Sequence, residues 1–148
     1  MTSLAERQAA LVAALVAGAS PPPGFDPVRV QATAEALLRK RAGEVGERWP
    51  WLRLHFGPQW NATFADWARG RPPQGSLRDG FDFARQSALT GLAAVELAMV
   101  EARYRYDGVN PPRLRRTPAV RRFPGGLVVQ AAGRVRVMRV DRGHGATR

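Results

Sequence analysis

Gly126-Leu127-Val128-Val129-Gln130, followed beyond Ala132-Gly133 by Val135-Arg136-Val137-Met138-Arg139-Val140, is the stretch on which the fold turns. The first run is β-branched and entered through Pro124-Gly125. The second is alternating or bulged, and Ala132-Gly133 offers a turn, so the two predict a β-hairpin. An isolated hairpin is marginal in water, which makes Ala119 to Phe123 important as a candidate third strand. Further back, Thr117-Pro118 and Asn110-Pro111-Pro112 both break helical periodicity, so the strand-forming part begins after Asp107-Gly108.

Upstream of that point the period is helical. Ser3 and Glu6 have capping-box spacing, Leu4, Leu11, Val12 and Leu15 share one face, and Gly18 with Pro21-Pro22-Pro23-Gly24 stops the helix. Asp26-Pro27 opens a long helix with Val30, Ala34, Leu37, Leu38, Arg41, Val45 and Trp49 on one side, and Pro50 limits it. A short turn closes at Gly57. Trp60, Phe64 and Trp67 then recur until Gly70, and Ser76 with Asp79 repeats the capping-box pattern before Phe81 and Phe83. A final helix near Thr90 carries Leu92, Val95, Met99 and Val100 and ends near Tyr104. The expected fold is mainly α with a small β part. Five to six helices occupy residues 1–107, and a hairpin or three-stranded sheet occupies 108–148. The aromatic set Trp49, Trp51, Phe56, Trp60, Phe64 and Trp67 reads as core with one exposed tryptophan.

The chain of 148 residues carries a formal net charge of +11, and its placement is uneven. Residues 1–102 hold 11 Lys and Arg against 10 Asp and Glu, whereas residues 103–148 hold 12 Arg against only Asp107 and Asp141. Lys40 is the sole lysine, so a compositional bias accounts for arginine over lysine but not for the loss of acids. A field that attracts an anionic partner is the better account. The apolar run Ala9 to Ala17 before Gly18-Ala19-Ser20 superficially resembles an export signal, yet Glu6 and Arg7 cancel where a positive flank is required. No segment approaches the ~20 apolar residues of a membrane span. A cytoplasmic protein with no membrane partner is expected.

Chemistry-bearing residues are sparse. There is no cysteine, and the only histidines are His55 and His144, too few for a metal site of three or four ligands. Asp79 and Asp82 lie three apart near a helix start, Ser76, Ser87 and Thr90 have no histidine at a recognisable spacing, and no phosphate loop is present. Neither an enzyme nor a bound cofactor is expected. The C-terminal part is richer: Arg113, Arg115, Arg116, Arg121, Arg122, Arg134, Arg136 and Arg139 are interleaved with Leu127, Val128, Val129, Val135 and Val137. Arg142 extends the series. Two modes of binding follow. The free edge formed by Leu127–Val129 and Val135–Val140 accepts an acidic peptide as an added strand, or the guanidiniums hold nucleic-acid phosphates by counterion release. The bland alternative is charge that only guards an aggregation-prone edge.

The order of features over residues 4 to about 106 resembles the N-terminal helical domain of the HvfC/BufC type, a family labelled DNA-binding. The carrying features are the opening helix Leu4 to Val16, Arg41 through Glu44 leading to Trp49-Pro50 and Leu52, Phe56-Gly57 with an aromatic helix, Pro72-Pro73, Phe83-Ala84, and the Ala94 to Glu96 helix. The resemblance to these MbnC-like partner proteins implies an accessory subunit in a hetero-complex with a multinuclear non-heme iron-dependent oxidase. That enzyme modifies ribosomally made peptides. The helical domain would dock on the oxidase, a C-terminal module would capture the precursor peptide, and the iron would belong to the oxidase. The C-terminal module here is much shorter than the family pattern.

Overall fold

A computed structural model of the chain describes residues 3–139. Among them are six α-helices, α1 (Leu4–Ala17), α2 (Pro27–Arg48), α3 (Pro50–Phe56), α4 (Trp60–Ala68), α5 (Ser76–Gln86) and α6 (Gly91–Arg103). Five short strands follow, β1 (Tyr104–Arg105), β2 (Arg113–Leu114), β3 (Ala119–Phe123), β4 (Gly126–Ala131) and β5 (Arg134–Arg139). The protein is mainly α with a small β part, and the third strand joins the hairpin in one sheet of order β3-β4-β5. Val140, Arg142, His144 and the expected frayed end lie outside the described residues.

Two compact units divide within α5, Met1–Phe83 and Ala84–Arg148. This division falls earlier than the 107/108 boundary that periodicity suggested. The reason is that α6 supplies the strands with their core: Ala98 and Ala102 pack with fully buried Val128, and Phe123 and Val135 close around them. A sheet this small needs such a partner. Alanines on the helix let the strands approach closely.

In the helical unit the local signals form as read. Ser3 N–H donates to Glu6 Oε2 at 2.6 Å and Glu6 N–H to Ser3 Oγ at 3.2 Å, completing the capping box. Asp26 Oδ1 accepts from Val28 N–H at 2.9 Å with Pro27 as the first helical residue. Trp49, Leu52, Trp60, Phe64, Phe81 and Phe83 are buried, and Trp51, 44% exposed, is the tryptophan left outside. Trp49 and Trp60 each place the indole N–H on a carbonyl, of Ser76 at 3.2 Å and Ala42 at 3.0 Å, so neither buried donor goes unmet. Gly80 is required by this packing, because a Cβ there would sit inside the Trp49 indole.

Asp79 departs from its expected capping role with Ser76. Helix α5 begins at Ser76 itself, and Asp79 is buried, accepting from Arg41 Nε at 2.7 Å and from Gln74 N–H at 3.1 Å. Arg41 also donates to the Arg71 carbonyl at 2.6 Å and lies about 6 Å from the Phe64 and Trp67 ring centres. A buried carboxylate is tolerated because its partner is charged, bonded and stacked on rings.

Candidate binding surface

Antiparallel pairing places cross-strand partners on the same side of a sheet, so register sorts the residues of the sheet unit into two faces. One face carries Ala119, Gln130 and Val135 in one row, Arg121, Val128 and Val137 in the next, and Phe123, Gly126 and Arg139 in the third. This is the face turned to α6, with Ala119, Val128 and Gln130 buried. Gln130 Oε1 has no hydrogen-bond partner among the described residues. Gly126 is glycine because a Cβ would collide with the Phe123 ring and the Met138 carbonyl.

The opposite face is open. Its rows are Val120, Val129 and Arg136, then Arg122, Leu127 and Met138, with Ala131 and Arg134 at the hairpin end. Val120 and Met138 are about half exposed, and Arg122, Arg134 and Arg136 are exposed. Four apolar side chains thus lie among three guanidiniums. No carboxylate occurs anywhere from residue 108 to 139.

Of the residues read as binding, Arg122, Leu127, Val129, Arg134 and Arg136 are brought together on this open face. Several expectations are corrected. Leu127–Val129 is no edge, since β4 is the central strand and is paired on both sides. Val128 is fully buried, hence unavailable to a ligand. Arg121, Val135, Val137 and Arg139 belong to the other face, and Arg121 Nη1 donates to the Val120 carbonyl at 2.8 Å. The edges among the described residues are β3 and β5.

Arg115 is also reassigned. Its Nε donates to the carbonyls of Glu101 and Tyr104 at 3.2 and 3.1 Å, and its backbone N–H to the Arg103 carbonyl at 2.8 Å. It therefore donates to carbonyls at the C-terminal end of α6, where a positive charge also suits the helix dipole. Burial first, then the charges of Arg121 and Arg105, push its pKa down. Arg113 and Arg116 remain exposed.

Strands β1 and β2 went unread in the sequence. They form a separate two-stranded ladder with Tyr104 opposite Leu114 and Arg105 opposite Arg113. Beside it lies an open cleft of about 580 Å³, lined by Arg105, Arg113 and Arg115 together with Tyr106, Asp107, Asn110 and Pro111. Asp107 is occupied with the turn: Oδ1 accepts from Val109 and Asn110 N–H at 2.9 and 2.7 Å, and Oδ2 from the Asn110 amide at 2.8 Å. The Asn110 amide, then the two backbone N–H groups, hold its carboxyl well below the usual carboxylate range. Near the cleft, Arg85 pairs with Glu101 at 2.9 Å and lies over the Tyr106 ring.

Among the described residues no three His, Cys, Asp or Glu side chains converge on a metal-sized space, and no helix is long and apolar enough to cross a membrane.

A family model described as "SCO6045-like, C-terminal domain" matches residues 5–89, more than half of the chain. The chain is 43% identical over 89 residues to a UPF0276 protein of Streptomyces avermitilis, a stretch that is 60% of this chain and 18% of that protein. The chain thus spans about a fifth of that relative's length. No solved structure matches it.

Proposed function

The chain belongs to the SCO6045-like, C-terminal domain family, and we propose that it is a non-catalytic, cytoplasmic accessory protein that works docked on a larger enzyme. The observation that carries this reading is the length of its relative. A stretch 43% identical to part of this chain makes up only 18% of the Streptomyces avermitilis protein. A module that shares one protein with a much larger body is held at high effective concentration against it, which supports the same association for the module here. The identity of the larger body comes from the resemblance to HvfC/BufC-type subunits: a multinuclear non-heme iron-dependent oxidase that modifies ribosomally made peptides. In this scheme iron and its ligands lie in the oxidase.

Peptide capture falls to the sheet unit. A strand added beside β5 extends the rows of the open face, so alternate peptide residues stand next to Arg134, Arg136 and Met138. Acidic residues at two successive outward positions would meet both guanidiniums. The competing reading is a DNA- or RNA-binding regulator using the same charge. It is less favoured because the open face carries no aromatic ring for base stacking: Phe123, the only aromatic residue of β3, β4 and β5, is on the face packed with Ala98 and Ala102.

Co-purification with a multinuclear non-heme iron-dependent oxidase and its precursor peptide tests the proposal. The wild-type chain is expected to retain both oxidase and precursor peptide, and an Arg134→Glu, Arg136→Glu variant to retain the oxidase but lose the peptide. No complex with the oxidase would contradict the accessory role.

A further inference from the structure

The ladder β1–β2 sets Arg105 directly across from Arg113, and like charges so placed weaken a strand pair. This ladder has only two residue pairs with which to absorb that cost. Arg115, the third guanidinium of the cleft, is held in place by the α6 carbonyls. Neither Arg105 nor Arg113 makes an ion pair among the described residues. The single carboxylate present, Asp107, has its oxygens engaged by the turn. Three converging guanidiniums, two of them exposed and unneutralised at the mouth of a cleft large enough for an amino-acid residue, describe a site lacking its counter-charge.

We propose that this cleft is an anion seat that holds a carboxylate of an acidic peptide between Arg105 and Arg113, with Arg115 as a fixed rear charge. Planar guanidiniums match a carboxylate through paired N–H donors. A carboxylate within a peptide is favoured over free phosphate because the attached chain can make further contacts along the cleft that a lone ion lacks. The seat is distinct from the β5 edge and rests on the peptide-capture reading only for the nature of the ligand. The like-charge pair across the ladder is then a feature maintained for binding at the expense of stability.

The test uses the full chain and follows the arginine Nε–H resonances while triglutamate, triglutamine or inorganic phosphate is added at low salt. Triglutamate should shift Arg105 and Arg113 saturably, triglutamine should not, and phosphate should bind more weakly. Arg105→Gln and Arg113→Gln should each weaken triglutamate at least about tenfold, the loss expected when a charge-assisted contact is removed. Both variants should also unfold at a higher temperature than wild type in low salt, because they relieve the repulsion. Arg105→Lys, which keeps the charge without the fork, should weaken binding too. Phosphate binding tighter than triglutamate, affinity unchanged in both glutamine variants, or a lowered unfolding temperature in them would overturn the proposal. If triglutamate still binds the cleft in the Arg134→Glu, Arg136→Glu variant that loses the precursor, the seat stands apart from the β5 edge. Loss of triglutamate there as well would overturn it as a separate site.

Discussion

Arg41 and Arg136 are the same side chain in opposite circumstances. Arg41 is buried in the helical unit, bonded to Asp79 at 2.7 Å and stacked near Phe64 and Trp67. Arg136 stands exposed on a sheet face beside Val129 and makes no ion pair among the described residues. The contrast extends to the units that carry them. The helical unit has a core of large aromatic rings and pairs its charges locally, as in Lys40 with Glu44 and Arg69 with Asp66. The sheet unit has a thin core of Ala98, Ala102 and Val128 and presents arginines with no acid between residues 108 and 139. One unit buries and pairs its charge, and the other leaves much of it exposed.

The sharpest way to break that comparison is to remove charge from the buried pair. Arg41→Ala leaves Asp79 uncompensated and is expected to cost about 3–5 kcal/mol, measured by urea unfolding. The double variant Arg41→Met with Asp79→Leu should recover most of that loss, since neither charge then remains buried. In the sheet unit, Arg115→Ala should cost less, about 1.5 kcal/mol, because it removes charge-assisted bonds to the end of α6 from a partly exposed position. A cost near zero would return Arg115 to the recognition surface. Gln130→Leu should act in the other direction and stabilise by about 1 kcal/mol, since its buried Oε1 has no partner among the described residues. Arg136→Gln should change stability by less than about 0.5 kcal/mol, the usual range for an exposed side chain. It should nevertheless weaken peptide capture, so stability and binding separate at that residue.

Local signals were legible in the sequence and distant ones were not. Ser3 with Glu6, and Asp26 with Pro27, need only neighbours within a turn, so they predicted their helix starts correctly. The change of period after Asp107-Gly108 likewise located β3, β4 and β5. Asp79's partner, Arg41, lies 38 residues away and leaves no trace at capping-box spacing. A hairpin alone has two edges, so the sequence by itself leaves Leu127–Val129 as an edge. Whether β4 is central depends on β3 pairing to its other side, which propensity suggests but does not fix. Strands β1 and β2 are two residues each, too short for any periodicity, and the cleft beside them was invisible for that reason. Arginine density placed the positive charge in the C-terminal part. It did not distinguish the guanidiniums that cap a helix from those that face solvent.

The central claim, that the sheet unit captures an acidic peptide as an added strand, is tested most directly by amide hydrogen exchange of the full chain with and without the precursor peptide. The account predicts slowed exchange at alternate amides of Arg134–Arg139, with β4 unchanged and an affinity that depends on the peptide's sequence. Unchanged exchange along β5, together with binding to duplex or single-stranded nucleic acid whose logarithm falls steeply and linearly with the logarithm of salt, would contradict it.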